Sequence, residues 1–181
     1  MKKQKKPSRA LFLDRDGVLN RRLPGDYVKT WNEFDFLPGV LRALRLLRPH
    51  FDPILVVTNQ QGIGKGKMTE ADLKSVHRLM KKVIRKKGGH IDKIYHCPDL
   101  ESGQPNCRKP NKEMGMMAKA DFPEIHFEES VMVGDSDPDL LFGRRLDMTT
   151  ILIGADQSGA KEPADYAFRD LLDFYLNFVK K

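Results

Sequence analysis

The chain has 181 residues, 40% hydrophobic and 31% charged, the size and mix of one globular domain with its own core. Its 32 Lys and Arg outnumber 25 Asp and Glu to give a formal charge of +7, so the surface attracts anions: phosphorylated metabolites, nucleic acid or acidic lipid. No apolar run approaches the roughly 18 residues of a membrane span, and the charged stretch Met1 to Arg9 leads into no apolar segment of secretory-signal length, so no membrane association and a cytoplasmic location are expected.

In chain order, residues 1–9 form a basic tail and residues 10–181 are expected to fold as one domain. Ala10 to Leu13 is a short apolar run that ends in Asp-Arg-Asp-Gly, a buried strand that leaves Asp14 at its carboxyl end. Arg21 to Phe36 is irregular and reads as a flap; Pro38 to Leu47 starts on a proline and has helical apolar spacing. Pro53 to Val57 is a second strand, followed by Thr58-Asn-Gln-Gln-Gly-Ile-Gly64. Thr69 caps a helix with Leu73, Val76, Leu79, Met80, Val83 and Ile84 on one face. Lys81, Lys82, Arg85, Lys86 and Lys87 crowd its far end, where cations suit the helix dipole; without interleaved aromatics they read as solvated rather than as a nucleic-acid patch.

Ile91 to Tyr95 is a third strand, and after the loop from His96 to Arg108 a short helix follows Pro110, with Met114, Met116 and Met117 read as core filler. Ser130 to Val133 is a fourth strand, breaking at Gly134-Asp-Ser-Asp-Pro-Asp139 before a helix to about Leu146, and Thr149 to Ile153 is a fifth. This alternation predicts an α/β, doubly wound parallel sheet with ligands beyond the carboxyl ends of its strands. His50, His77, His90 and His126 lie away from the polar clusters and read as surface or core. Cys97 and Cys107 are too few for a disulfide scaffold, which leaves reduced thiols or a metal loop.

An Asp14-x-Asp16 pair alone is an ordinary turn feature. Three further polar groups fall at equivalent points: Thr58 after the second strand, Lys109 before a helix, and Asp135 with Asp139 after the fourth strand. Phosphoryl transfer needs such a set: a nucleophile, an acid for the leaving oxygen, and positive charge or donors around three equatorial oxygens. The carboxylates would repel a phosphate unless a hard cation lay between, and Asp14 and Asp135 are oxygen ligands of the type Mg²⁺ prefers.

Asp14-Arg-Asp-Gly-Val18, Thr58-Asn59, Arg108-Lys-Pro110 and Gly134-Asp-Ser-Asp-Pro-Asp139 resemble, in order, the four motifs of the haloacid dehalogenase (HAD) superfamily. The resemblance implies a Rossmann-like phosphatase with Asp14 as the nucleophile forming an aspartyl-phosphate. It makes Asp16 the general acid and base, lending its backbone carbonyl to Mg²⁺. Thr58 and Lys109 would hold the phosphoryl group, Asp135 the metal, and Asp139 would support the site from behind. An acid working near neutral pH calls for a raised pKa at Asp16. No insertion is long enough for a separate cap domain.

More narrowly, Tyr27-Val28, Phe34-Asp-Phe-Leu-Pro-Gly-Val40, Thr58 to Met68, Cys97-Pro98 and Cys107-Arg-Lys-Pro110 are similar to the D-glycero-D-manno-heptose bisphosphate phosphatases, over roughly residues 10 to 155. That likeness implies a small sugar bisphosphate substrate, a monomer, and a substrate pocket lined by Asn59, Gln60, Gln61, Arg108 and the Tyr27 flap. The sibling histidinol-phosphate phosphatases share part of the pattern, and a nucleic-acid 3′-end phosphatase suits a capless basic protein but lacks the aromatic stacking set. A silent anion-binding or nucleic-acid-binding module is the non-enzyme alternative.

Two positions depart from the heptose pattern. Its zinc loop carries Cys-x-His and Cys-x-Cys, matched here by Cys97, Asp99, Pro105 and Cys107 with His96 adjacent, so zinc is not expected. Ser136 stands where those enzymes place a lysine, leaving Arg21, Arg22, Lys65 or Lys67 as counter-charges for a second phosphate.

Overall fold

The computed structural model describes residues 9–102, 106–154 and 160–180. Strands β1 (Leu11–Leu13), β2 (Ile54–Asn59), β3 (Lys93–Cys97), β4 (Val131–Gly134), β5 (Thr149–Ile153) and β6 (Tyr166–Phe168) form one parallel sheet in the order β3-β2-β1-β4-β5-β6. The chain builds outward from β1 to β3, then returns to the other side of β1 with β4. The strand order therefore reverses between β1 and β4, which opens a crevice at their carboxyl ends.

The short strands are apolar on both faces because both faces are covered. Leu11, Leu13, Ile54, Val56, Val131 and Val133 pack on one side with Leu44 of α1 (Val40–Leu47), Met80 of α2 (Glu70–Lys86) and Phe174 of α5 (Leu171–Phe174). Phe12, Leu55, Val57 and Met132 pack on the other with Met114 and Ala118 of α3 (Glu113–Asp121) and Phe142 of α4 (Asp137–Arg145). Each Leu, Ile, Val, Met or Phe among them contributes about 1.5–3 kcal/mol when fully buried. At the start of α2, Thr69 Oγ1 accepts from the Asp72 N–H at 3.1 Å, and the Thr69 N–H donates to Asp72 Oδ2 at 2.8 Å, the expected cap in reciprocal form.

The five expected strands are present, with β3 starting two residues later than expected. The three-residue β6 adds an edge that the sequence did not signal, being largely exposed and short. Met114 is buried as expected, but Met116 and Met117 are 53% and 55% exposed, because α3 turns only its Met114 and Ala118 side inward. Between β1 and α1 the chain is an irregular flap with a single 3₁₀ turn at Trp31–Glu33, tied at its base by the Asn20–Phe36 bridge. Among the described residues nothing folds as a separate cap. No described helix is long and apolar enough to cross a membrane. The basic tail, apart from Arg9, lies outside the described residues.

Candidate active site

Register brings the polar clusters together. Leu13 pairs with both Val56 and Val133, and the Asp14 N–H continues the ladder to Val133 O at 3.0 Å. Asp14 thus leaves β1 beside Gly134-Asp135 leaving β4, with Thr58 at the end of β2. The turn after Asp14 depends on Gly17, at φ +97°: a Cβ there would lie 1.9 Å from Asp135 Oδ2. The loop packs directly against that carboxylate.

Lys109 is the buried hub of the site. Its Nζ donates to Asp14 Oδ1 at 2.8 Å, Asp139 Oδ1 at 2.6 Å and Val57 O at 2.8 Å. Burial works against its charge, but the Asp139 and Asp14 carboxylates outweigh that and raise its pKa. Its backbone is fixed by Asn59, whose Oδ1 accepts the Lys109 N–H at 2.9 Å and whose Nδ2 donates to Lys109 O at 3.1 Å. Asp139 also accepts from the Ser136 hydroxyl at 2.7 Å and the Asp135 N–H at 3.3 Å, so the serine in the lysine's place helps hold the carboxylate that holds Lys109.

Asp16 differs from expectation: its pKa is lowered rather than raised. Burial pushes it up, but the Arg15 guanidinium and hydrogen bonds from Arg15, Asn20 and Gln60 prevail. Arg15 Nη2 donates to both oxygens at 2.9 and 2.8 Å, Asn20 Nδ2 to Oδ1 at 2.9 Å, and Gln60 Nε2 to Oδ2 at 2.8 Å. Gln60 Nε2 also donates to Thr58 Oγ1 at 2.8 Å. Gln60 is accordingly buried among the catalytic candidates and does not line the cleft expected to receive substrate. Behind Asp16, the fully buried Arg15 places Nη1 3.1 Å from His77 Nε2. Burial first, and Arg15 second, depress His77 to about 3, so the ring is neutral and accepts. Sequence spacing set His77 apart from the chemistry and assigned no part to Arg15; α2, packed on one face of the sheet, supplies the link.

Asp14 and Asp135 show the opposite electrostatics. Burial, with Asp139 and Asp16 adding to it against Lys109, pushes Asp14 up to about 6. Burial, then Asp14 and Asp139, push Asp135 to about 7. Carboxylate oxygens of Asp14, Asp135 and Asp139 converge within 4.8 Å of one another. A guanidinium already stands in for a cation there: Arg22 Nη2 lies 2.8 Å from Asp135 Oδ1 and 3.3 Å from Asp16 O. An all-oxygen donor set short of positive charge fits a hard divalent cation.

Above these groups opens a cleft of about 440 Å³, within the range of about 300–1,000 Å³ usual for small-molecule sites. Tyr27, Gln61, Lys65, Arg108 and Asn59 line it, with Asp14, Asp16, Thr58 and Lys109. The Tyr27 ring lies on Gly62, where a Cβ would come within 2.7 Å of it, so the flap and the loop after β2 meet through the missing side chain. The Lys65 ammonium donates to Tyr27 Oη at 3.2 Å.

The cysteine loop corrects the sequence reading. Cys97 and Cys107 are joined as a disulfide rather than reduced. Asp99 converges on them, its Oδ2 accepting the Cys107 N–H at 2.9 Å, but His96 is turned away to Glu70 at 3.0 Å and does not join a zinc set. Pro105 lies outside the described residues.

Known proteins resemble this chain in sequence and fold. The profile of the HAD-hydrolase-like family matches residues 106–174. A D-glycero-alpha-D-manno-heptose-1,7-bisphosphate 7-phosphatase of Mycobacterium tuberculosis is 38% identical over 169 residues, 91% of this chain and 88% of the relative. The chain belongs to the heptose-bisphosphate phosphatase family of HAD-like hydrolases. Within that family, a D-glycero-beta-D-manno-heptose-1,7-bisphosphate 7-phosphatase of Salmonella typhi is 33% identical, covering 91% of this chain and 92% of its own. The solved D,D-heptose 1,7-bisphosphate phosphatase of B. bronchiseptica, complexed with magnesium and phosphate, superimposes with a TM-score of 0.86 at 26% identity, covering 95% of this chain and 98% of that one. The chain is a phosphatase of the HAD type.

Proposed function

We propose that this phosphatase removes the 7-phosphate of a D-glycero-D-manno-heptose 1,7-bisphosphate in the cytoplasm, through an aspartyl-phosphate at Asp14 and with Mg²⁺ as cofactor. The observation that carries this reading is the convergence of Asp14, Asp16, Thr58, Lys109 and Asp135 beneath a cleft rimmed by Arg22, Lys65 and Arg108. Relatives at 33–38% identity that span most of the chain are named for this reaction.

Asp14 attacks phosphorus in line. Lys109 holds Oδ1, so Oδ2 is the oxygen offered. The Thr58 hydroxyl faces the equatorial oxygens, the Lys109 ammonium, its three N–H groups held by Asp14, Asp139 and Val57, offsets their charge, and Asp16 serves the leaving oxygen from the far side. Asp14, Asp135 and the Asp16 carbonyl would hold Mg²⁺, which when bound neutralises charge on the transferring phosphoryl group. With its pKa depressed, Asp16 is ionised at neutral pH and suited to take the proton of the water that hydrolyses the aspartyl-phosphate. Its acid role in the first displacement follows once a bound phosphate anion beside it raises that pKa. Arg108, Asn59, Gln61 and Tyr27 position the sugar.

The test is phosphate release from heptose 1,7-bisphosphate anomers, histidinol phosphate and a 3′-phosphorylated oligonucleotide, with Mg²⁺ and with EDTA, compared as kcat/KM. The expected result is a heptose bisphosphate preferred by about a hundredfold or more, with turnover lost in EDTA. A comparable preference for another compound sinks the substrate assignment, and undiminished turnover in EDTA sinks the cofactor.

A further inference from the structure

Arg22 is a cation placed where a metal ligand set converges, on a flap that also borders the substrate cleft. The backbone just before it is anchored: the Arg21 N–H donates to Asp35 O at 2.8 Å, and Asn20 bridges to Phe36. The side chain is not, being 54% exposed, with contacts only through Nη2 among those described. Both partners of Nη2, Asp135 Oδ1 and Asp16 O, are oxygens assigned above to the divalent cation.

A hard divalent cation sits about 2.0–2.1 Å from its ligands when it is Mg²⁺. An ion held by Asp135 and the Asp16 carbonyl, together with a guanidinium 2.8 and 3.3 Å from those oxygens, would crowd two positive charges onto one pair of acceptors. The two are alternatives. A displaced guanidinium, its residue next to anchored backbone, stays at the mouth of the same cleft, beside Lys65 and Arg108. Those two have partners of their own: Lys65 on the Tyr27 hydroxyl, and Arg108 reaching Asp99 O at 3.5 Å. Ser136, committed to Asp139, brings no charge.

We propose that Arg22 is a specificity-determining arm: it competes with the divalent cation for Asp135 and Asp16, and once displaced it supplies the counter-charge for the second phosphate of a bisphosphate substrate. Planar and bidentate, a guanidinium is suited to exchange a carboxylate for a phosphate. The inference rests on the bisphosphate reading above, and it ties cation binding to selection of a doubly charged substrate.

The test compares the wild type with Arg22→Gln and Arg22→Lys in two arms. In the first, Mn²⁺ binding is followed by electron paramagnetic resonance and calorimetry without substrate. The expected result is Mn²⁺ bound about threefold or more tightly by Arg22→Gln, since an exposed ion pair that competes with it is gone. Unchanged or weaker binding overturns the competition. In the second, at saturating Mg²⁺, kcat/KM is measured for heptose 1,7-bisphosphate and for heptose 7-phosphate. The ratio of bisphosphate to monophosphate should fall about tenfold or more in Arg22→Gln, as expected for a lost charged hydrogen bond, with Arg22→Lys between it and the wild type. An unchanged ratio overturns the second-phosphate role. A wild type that prefers some other phosphate ester refutes the substrate reading and with it that role, while the Mn²⁺ arm still decides whether Arg22 and the cation compete.

Discussion

At the scale of single residues, the site is organised by buried charges that are made or cancelled by their neighbours. Lys109 ties Asp14 and Asp139 together, and Lys109→Met leaves both carboxylates buried without their cation. The expected cost is about 3–5 kcal/mol of stability near pH 8, with phosphatase activity reduced by about a thousandfold or more; chemical denaturation and steady-state kinetics check each part. His77 gives a pH dependence. Its native pKa of about 3 lies below the unfolded value, so as pH falls below about 6.5 the unfolded chain takes up the proton first and stability is lost. Between pH 7 and pH 5 this linkage amounts to about 2 kcal/mol. Urea titrations should therefore show a shallower pH slope for His77→Gln, which keeps an acceptor for Arg15 but has no proton to gain; a slope equal to the wild type would remove His77 from the account. Asp14, Asp16, Thr58, Lys109 and Asp135 were legible in the sequence because each stands at a fixed step from an apolar run or a proline. The parts of Arg15 and His77, and the turn of Gln60 from the pocket to Asp16, were not, because they depend on which way a side chain points at a strand end and on a helix packed on the sheet.

At the scale of elements, two loops and a flap close the site around the strand ends. The flap rests on the loop after β2 through Gly62 and Tyr27, so Gly62→Ala must push the ring outward. The expected effect is a KM for the bisphosphate raised about tenfold with a smaller change in kcat, since the reacting groups are held elsewhere. A fall in kcat alone would contradict that placement of the flap. Helix ends follow rules the sequence displays openly: Thr69 at the start of α2 was legible from its position before the apolar stripe, and Thr69→Ala should cost about 1 kcal/mol in thermal or urea unfolding. The third helix was less legible, because Met114, Met116, Met117 and Ala118 ring a nine-residue helix without defining one apolar side. The Cys97–Cys107 bond had no sequence signature either: two cysteines ten positions apart read as reduced thiols or a metal loop, and only strand β3 and the loop before Lys109, brought side by side, join them.

At the scale of the whole molecule, the doubly wound sheet was legible from alternation alone, while strand order required the structure, since periodicity marks strands and not their neighbours. The order places the reversal between β1 and β4, and everything chemical gathers there. The central claim is that Asp14 takes the phosphoryl group and Asp16 then activates water, and it is tested most directly in Asp16→Asn. An aryl phosphate such as p-nitrophenyl phosphate has a leaving group that needs little protonation, so the first displacement survives the substitution while hydrolysis of the intermediate slows. Rapid acid quench followed by peptide mass spectrometry should find one phosphoryl group per protein on the peptide carrying Asp14, with a matching burst of p-nitrophenolate. A burst with no phosphoryl group on the protein, or with the group on another residue, would contradict the account.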